Sequence, residues 1–195
     1  DALIPMIEAE KLDWAFVESG KKLSDFGLIC FDMDSTLINI ECIDELADLA
    51  GRKAEVAEIT EATMRGEITD FATSLRRRVA LLAGLPAEAL ERVYTERLRL
   101  NPGAQTLVST ARAAGLKVLL VSGGFTFFTR RLAERLNLDA AYANELVIDT
   151  QGKLTGEVDG RILDATAKQT YLQELAGSLD AGRDEIIAIG DGAND

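Results

Sequence analysis

The sequence predicts an α/β protein: a Rossmann-like parallel sheet core carrying an inserted helical cap. Short apolar runs recur, each is followed at once by a polar or glycine turn, and helix-forming sequence separates them. Strands that are apolar along their whole length and alternate with helices belong to parallel sheets covered on both faces. In such sheets the ligand crevice lies beyond the carboxyl ends of the strands, and all three polar turns fall there.

The first run, Leu28-Ile29-Cys30-Phe31, ends in Asp32-Met33-Asp34-Ser35-Thr36. More than 80 residues separate it from the second, far more than one crossover helix needs. That stretch reads as helical, broken near Gly51, Gly66, Gly84-Leu85-Pro86 and Asn101-Pro102-Gly103. Residues 43–100 are therefore expected to form the cap, and 1–42 with 101–195 a discontinuous core. The second run, Val118–Val121, ends in Ser122-Gly123-Gly124 and is followed by Phe125, Phe128, Leu132 and Leu136 at helical spacing. Glu145–Asp149 and Lys153–Val158 flank Thr150-Gln151-Gly152 as a β-hairpin. The third run, Ile186–Ile189, leads into Gly190-Asp191-Gly192-Ala193-Asn194-Asp195.

Composition narrows the chemistry. The chain has 195 residues, 47% of them hydrophobic and 28% charged, which suits one globular core with a modest insertion. A net charge of −12 opposes binding a nucleic-acid backbone. The longest uncharged stretches, Leu100–Ala111 and Val118–Thr129, are 12 residues each, too short for a membrane span. A cytoplasmic protein is the default expectation. Cys30 and Cys42 form neither a C-x-x-C pair nor a disulfide framework. There is no histidine, which excludes a Ser-His-Asp triad, a phosphohistidine and an H-E-x-x-H zinc site.

Asp32 and Asp34, two apart at a strand end, can point the same way. Their repulsion calls for a cation between them or a retained proton. With Asp191, Asn194 and Asp195 they make an all-oxygen set, which favours Mg²⁺ over zinc. Each aspartate taken singly could equally cap a helix. Ser122-Gly123-Gly124 before a helix offers a hydroxyl and backbone N–H groups to an anion, although glycine turns there are common. No Walker P-loop occurs. Arg78 falls within the apolar stripe Phe71, Leu75, Leu82, and Lys168 within Ala165, Leu172, Leu175, whereas Arg76 and Arg77 face elsewhere. A cation on such a face snorkels, pairs within the fold, or meets a ligand. Together these groups suggest phosphoryl transfer with Asp32 as nucleophile, Mg²⁺ and Lys168 offsetting charge, and Ser122 and Gly123 holding the phosphoryl oxygens.

In order, Asp32–Thr36, Ser122-Gly123-Gly124, Lys168 and Gly190–Asp195 resemble the four motifs of the haloacid-dehalogenase-like phosphatases. The likeness is closer still to members that hydrolyse O-phosphoserine, carried by Phe31–Ala47, Ser74–Leu82, Val121–Thr129 and Lys153–Gly160. The resemblance implies a Mg²⁺-dependent hydrolase that releases serine and phosphate through an aspartyl phosphate, the last step of serine biosynthesis. It implies that Asp34 is the general acid and base, and that Asp32, the Asp34 carbonyl and Asp191 hold the metal. Arg78 would clamp the substrate carboxylate, Glu41 would meet its ammonium, Asn194 would support the substrate, and Met64 and Phe71 would close over it. For Met64 and Phe71 a plain core role fits equally well. Relatives continue past the Asn-Asp turn, so the core reads as truncated at its C-terminus, and residues 1–27 lie outside the resemblance. A homodimer is left open. Two rivals remain at this stage: a phosphomutase or phosphotransferase on the same scaffold, and a phospho-acceptor signalling domain.

Overall fold

A computed structural model of the chain describes residues 3–10 and 19–192. A short helix, α1 (Ile4–Ala9), precedes the first strand, β1 (Leu28–Phe31). Then come α2 (Cys42–Leu49), α3 (Lys53–Met64), α4 (Phe71–Ala80), α5 (Glu88–Arg92) and α6 (Ala104–Ala113). The chain returns through β2 (Lys117–Phe125), α7 (Thr126–Leu136), β3 (Ala140–Ile148) and β4 (Leu154–Asp159), and ends in α8 (Ala165–Ser178) and β5 (Ile186–Ile189).

The five strands form one sheet in the order β4-β3-β2-β1-β5. β1 lies parallel between β2 and β5, with Phe31 opposite Leu120 and Ile189. β3 is parallel to β2, and β4 closes the edge antiparallel to β3 as the expected hairpin. The central strands are apolar throughout because both faces are covered: Leu28, Ile29, Val118, Leu119, Leu120 and Val121 are all buried.

The anticipated breaks between β1 and β2 are positive-φ turns at Gly51 (68°), Gly66 (76°), Gly84 (83°) and Gly103 (86°), where a side chain would strain the backbone. The helices between them share one continuous apolar cluster with the sheet: Leu46, Val56, Leu75, Val79 and Val93 join Phe31, Phe125 and Phe128. The two connections between insertion and sheet lie side by side. Ile38 bridges Leu100, Asn39 N–H donates to the Arg99 carbonyl, and Arg99 N–H donates to Asn39 Oδ1. Asn101 Nδ2 donates to the carbonyls of Thr36 (2.8 Å) and Ile38 (3.1 Å), so one side chain holds the loop after β1 against this stem.

Two strands run longer than expected, and β3 already begins at Ala140 rather than Glu145. The strand expected to stop at Val121 runs on to Phe125, and α7 begins only at Thr126. Between Val121 and Phe125 the pairing with β3 is irregular: Val121 faces Tyr142 while Phe125 faces Asn144. Ser122, Gly123 and Gly124 therefore form a bulge at the carboxyl end of a strand rather than the first turn of a helix. Among the described residues, no helix is long and apolar enough to cross a membrane.

Candidate active site

The loop after β1 begins at Asp32, whose N–H donates to the Ile189 carbonyl of β5. It then turns sharply, with Ser35 at φ 56°. This non-glycine residue in the left-handed region is held by its own groups: Ser35 N–H reaches the Ile40 carbonyl and Oγ donates to Glu41 Oε1 at 2.6 Å. Asp32 and Asp34 thereby enter one cavity of about 250 Å³. Glu41, Phe71 and Arg78 line it from the insertion, and Ser122, Gly123, Lys168 and Asp191 line it from the sheet side. A larger hollow of about 750 Å³ between α8 and the sheet is mostly apolar and touches this chemistry only through Asp32 and Lys168.

Lys168 reaches Asp32 from one turn inside α8. Asp164 caps that helix by accepting from Ala167 N–H at 2.9 Å, which fixes the first turn and aims Lys168 inward. Its Nζ lies 2.8 Å from Asp32 Oδ1, and both side chains are nearly buried. The ion-pair explanation for Lys168 therefore holds, and both members of the pair also line the cavity.

Asp34 has a different environment. Cys42 N–H donates to its Oδ1 at 3.2 Å, and burial, Glu41 and Asp32 push its pKa from 3.8 up to about 7. Burial is the largest cause and the neighbouring carboxylates add to it, outweighing the Cys42 bonds. Two aspartates two residues apart thus have different surroundings: Asp32 is paired with Lys168, while Asp34 is buried among carboxylates that favour its protonated form. Glu41 is likewise raised, chiefly by burial, with Asp44, Asp191 and Asp32 adding repulsion against the Ser35 hydrogen bond.

Opposite them, Ser122 Oγ accepts from Gly124 N–H at 2.9 Å, which leaves its proton free to point at an anion in the cavity. At Gly124 the backbone comes close to the loop after β1: a Cβ there would lie 2.7 Å from Met33 Cε and 2.8 Å from Asp34 Oδ2, and those side chains would have to shift. The Phe71 ring, at the first turn of α4, would lie 3.0 Å from a Cβ on Gly123. The insertion and the bulge meet at this point.

Arg78 stands in the half-buried class, with Leu75 and Val79 buried beside it and Arg76 and Arg77 exposed. Its Nε is buried without a hydrogen-bond partner among the described residues. Burial lowers its pKa, against the fields of Asp44, Glu41 and Asp34. A guanidinium in that position lacks one acceptor.

The structure does not bring Met64 to the site. Its side chain at the end of α3 is 84% exposed and lines no part of the cavity, because α3 buries only Val56 and turns that end outward. Asn194, with Asp195, lies outside the described residues. Sequence reasoning passed over Thr36, whose Oγ1 donates to Asp191 Oδ1 at 3.1 Å, and Ser35, which orients Glu41. A threonine and a serine next to an Asp-x-Asp were the available signal.

Among the described residues, no three acidic or thiol side chains converge as a ready-made metal site. The donors that do share the cavity, Asp32 and Asp191, are hard carboxylate oxygens placed just after the adjacent strands β1 and β5. That set fits a small divalent cation that keeps several of its waters.

Residues 29–195 match the family profile of haloacid dehalogenase-like hydrolases. The chain is 60% identical to a phosphoserine phosphatase of Polaromonas sp. over 89% of its own length and 75% of that protein's. It superposes on a HAD-family hydrolase from Salmonella enterica serovar Typhi with a TM-score of 0.88 at 36% identity, covering all of this chain and 65% of that one. A substrate-bound phosphoserine phosphatase structure matches at a TM-score of 0.80 and 41% identity, over 90% of this chain and 80% of the other. A parallel sheet with an aspartate loop, a Ser-Gly-Gly bulge and a lysine meeting at its carboxyl edge is thus accompanied by similarity along most of the sequence, and the chain belongs to the haloacid dehalogenase-like hydrolases.

Proposed function

We propose that this chain hydrolyses O-phosphoserine to serine and phosphate through an aspartyl phosphate on Asp32, serving the last step of serine biosynthesis in the cytoplasm. The observation that carries the reading is Arg78: a buried Nε without a partner, lining the same small cavity as the Asp32–Lys168 pair. The names of the relatives support the same substrate.

Asp32 attacks phosphorus and Lys168 neutralises oxygens of the transferring group. The Ser122 hydroxyl and the Gly123 backbone hold the remaining oxygens. Asp34, protonated near neutrality, donates to the departing serine oxygen and then accepts a proton from the attacking water. The 43–100 insertion acts as the cap, with Phe71 closing against Gly123. Arg78 takes the substrate carboxylate and Glu41, oriented by Ser35, its ammonium. A phosphorylated sugar offers Arg78 no carboxylate and Glu41 no ammonium, which disfavours the mutase reading. A phospho-acceptor domain would have no use for Asp34 as an acid.

Mg²⁺ would be held by Asp32, Asp191 and the Asp34 carbonyl, and would supply positive charge against the phosphate. Exhaustive chelation is expected to abolish phosphate release, Mg²⁺ to restore it, and Ca²⁺ to inhibit, since Ca²⁺ takes more ligands at longer distances. Full activity in chelator would remove the metal from the mechanism.

Specificity gives the decisive test. Arg78→Ala should lower kcat/KM for O-phosphoserine by ~10²-fold, from about 3 kcal/mol for a charged hydrogen-bonded contact. It should change p-nitrophenyl phosphate little, because that ester has no carboxylate. Arg76→Ala and Arg77→Ala, both exposed, should leave both substrates unaltered. Equal losses on the two substrates in folded Arg78→Ala protein would make Arg78 structural.

A further inference from the structure

Asn144 is 3% exposed and sits on β3 opposite the bulge, where the regular pairing of β2 with β3 fails. Asn144 pairs with Phe125, and its side chain adds a contact to the bulge itself. Nδ2 donates to the Gly123 carbonyl at 2.8 Å, and Oδ1 accepts from Leu163 N–H at 2.7 Å. Leu163 immediately precedes Asp164, the residue that caps α8 and so sets the direction of Lys168. One planar amide, with donor and acceptor on opposite arms, thus spans the two halves of the anion cradle. Ser122 and Gly123 lie on one side, and the base of the Lys168 helix on the other.

We propose that Asn144 is a positioning residue that sets the spacing between the Ser-Gly-Gly bulge and Lys168, and thereby the affinity of the site for a tetrahedral phosphoryl group. It touches no substrate and does not line the cavity. Asparagine meets the requirement because its amide offers one donor and one acceptor at fixed separation, within a side chain short enough to stay between two backbones. A misplacement of about 1 Å in such a cradle can lower the rate by ~10²-fold.

The inference rests on the proposed phosphatase reading, and the experiment separates the two. Asn144→Asp keeps the acceptor for Leu163 but sets an oxygen against the Gly123 carbonyl, while Asn144→Ser shortens the bridge. For each folded variant, kcat/KM is measured on O-phosphoserine and p-nitrophenyl phosphate, together with inhibition by inorganic phosphate and by serine. We expect both esters to lose ~10²-fold alike and the phosphate inhibition constant to rise about 10-fold, with serine inhibition unchanged. Asn144→Asp should recover part of the loss at acidic pH, where a protonated carboxyl can again donate to Gly123. A merely structural asparagine would lower the melting temperature while leaving phosphate inhibition of the folded fraction as in the parent, and that result overturns the inference. Failure of the parent chain to release phosphate from either ester overturns the phosphatase reading, and the inference with it.

Discussion

Asp32→Asn should abolish turnover, with kcat falling ~10⁴-fold or more, the scale on which removing an activated nucleophile is felt. The substitution is mild for the fold. Asparagine keeps an oxygen where Oδ1 accepts from Lys168, so the nearly buried lysine retains an acceptor. It loses the ionised second oxygen that forms the bond to phosphorus. Acid quench of the parent during turnover of labelled O-phosphoserine should trap an acid-stable, base-labile phosphoprotein, and Asp32→Asn should yield none. Recovery of a normal phosphoprotein from that variant would place the nucleophile elsewhere. Lys168→Ala is a poorer probe, because it removes the cation paired with the nearly buried Asp32 and confounds catalysis with folding.

Asp34→Asn should separate chemistry from stability. Removing a general acid lowers kcat by about 10²–10⁴-fold, and the loss should shrink for esters whose leaving group needs no proton, such as p-nitrophenyl phosphate. Stability should move the other way. The Asp34 carboxyl holds its proton more tightly in the folded chain, since its pKa rises from 3.8 to about 7. Its contribution is therefore fully present below pH 3.8 and is lost as pH rises through about 7. Asparagine has no such proton to lose. In metal-free buffer the stability gained by Asp34→Asn over the parent should widen between pH 5 and pH 8, by about 2–4 kcal/mol at 1.36 kcal/mol per pKa unit. Denaturant titrations at the two pH values check this. A gap that stays constant would mean that Asp34 is no more protonated in the folded chain than in the unfolded one.

Met64 is exposed and lies outside the cavity, which helical spacing could not foretell. A methionine near the end of a helix reads equally as core or as substrate contact, because helical spacing gives its angle around the axis and not what the axis faces. Arg78, by contrast, lines the cavity. Its stripe includes Leu75 and Leu82, both buried, and lies in a helix whose exposed arginines occupy the two preceding positions.

By itself the sequence determined what depends on local repeats and on residue chemistry. The first and last strands carry the bounds read from their apolar runs, and three helix breaks in the insertion fall at glycines in positive φ. The lack of histidine and the oxygen-rich turns by themselves narrow the reaction. Tertiary structure alone decided which distant groups touch. The Asp32–Lys168 pair spans 136 positions, and Thr36 meets Asp191 across 155. The bulge that carries Ser122 and Gly123 past the expected strand end arises from pairing with β3, and the Asn144 side chain adds a contact to that bulge. Periodicity reports which side of an element a residue occupies. The register between elements, and with it every hydrogen bond in the site that joins separate elements, comes from packing them around one core.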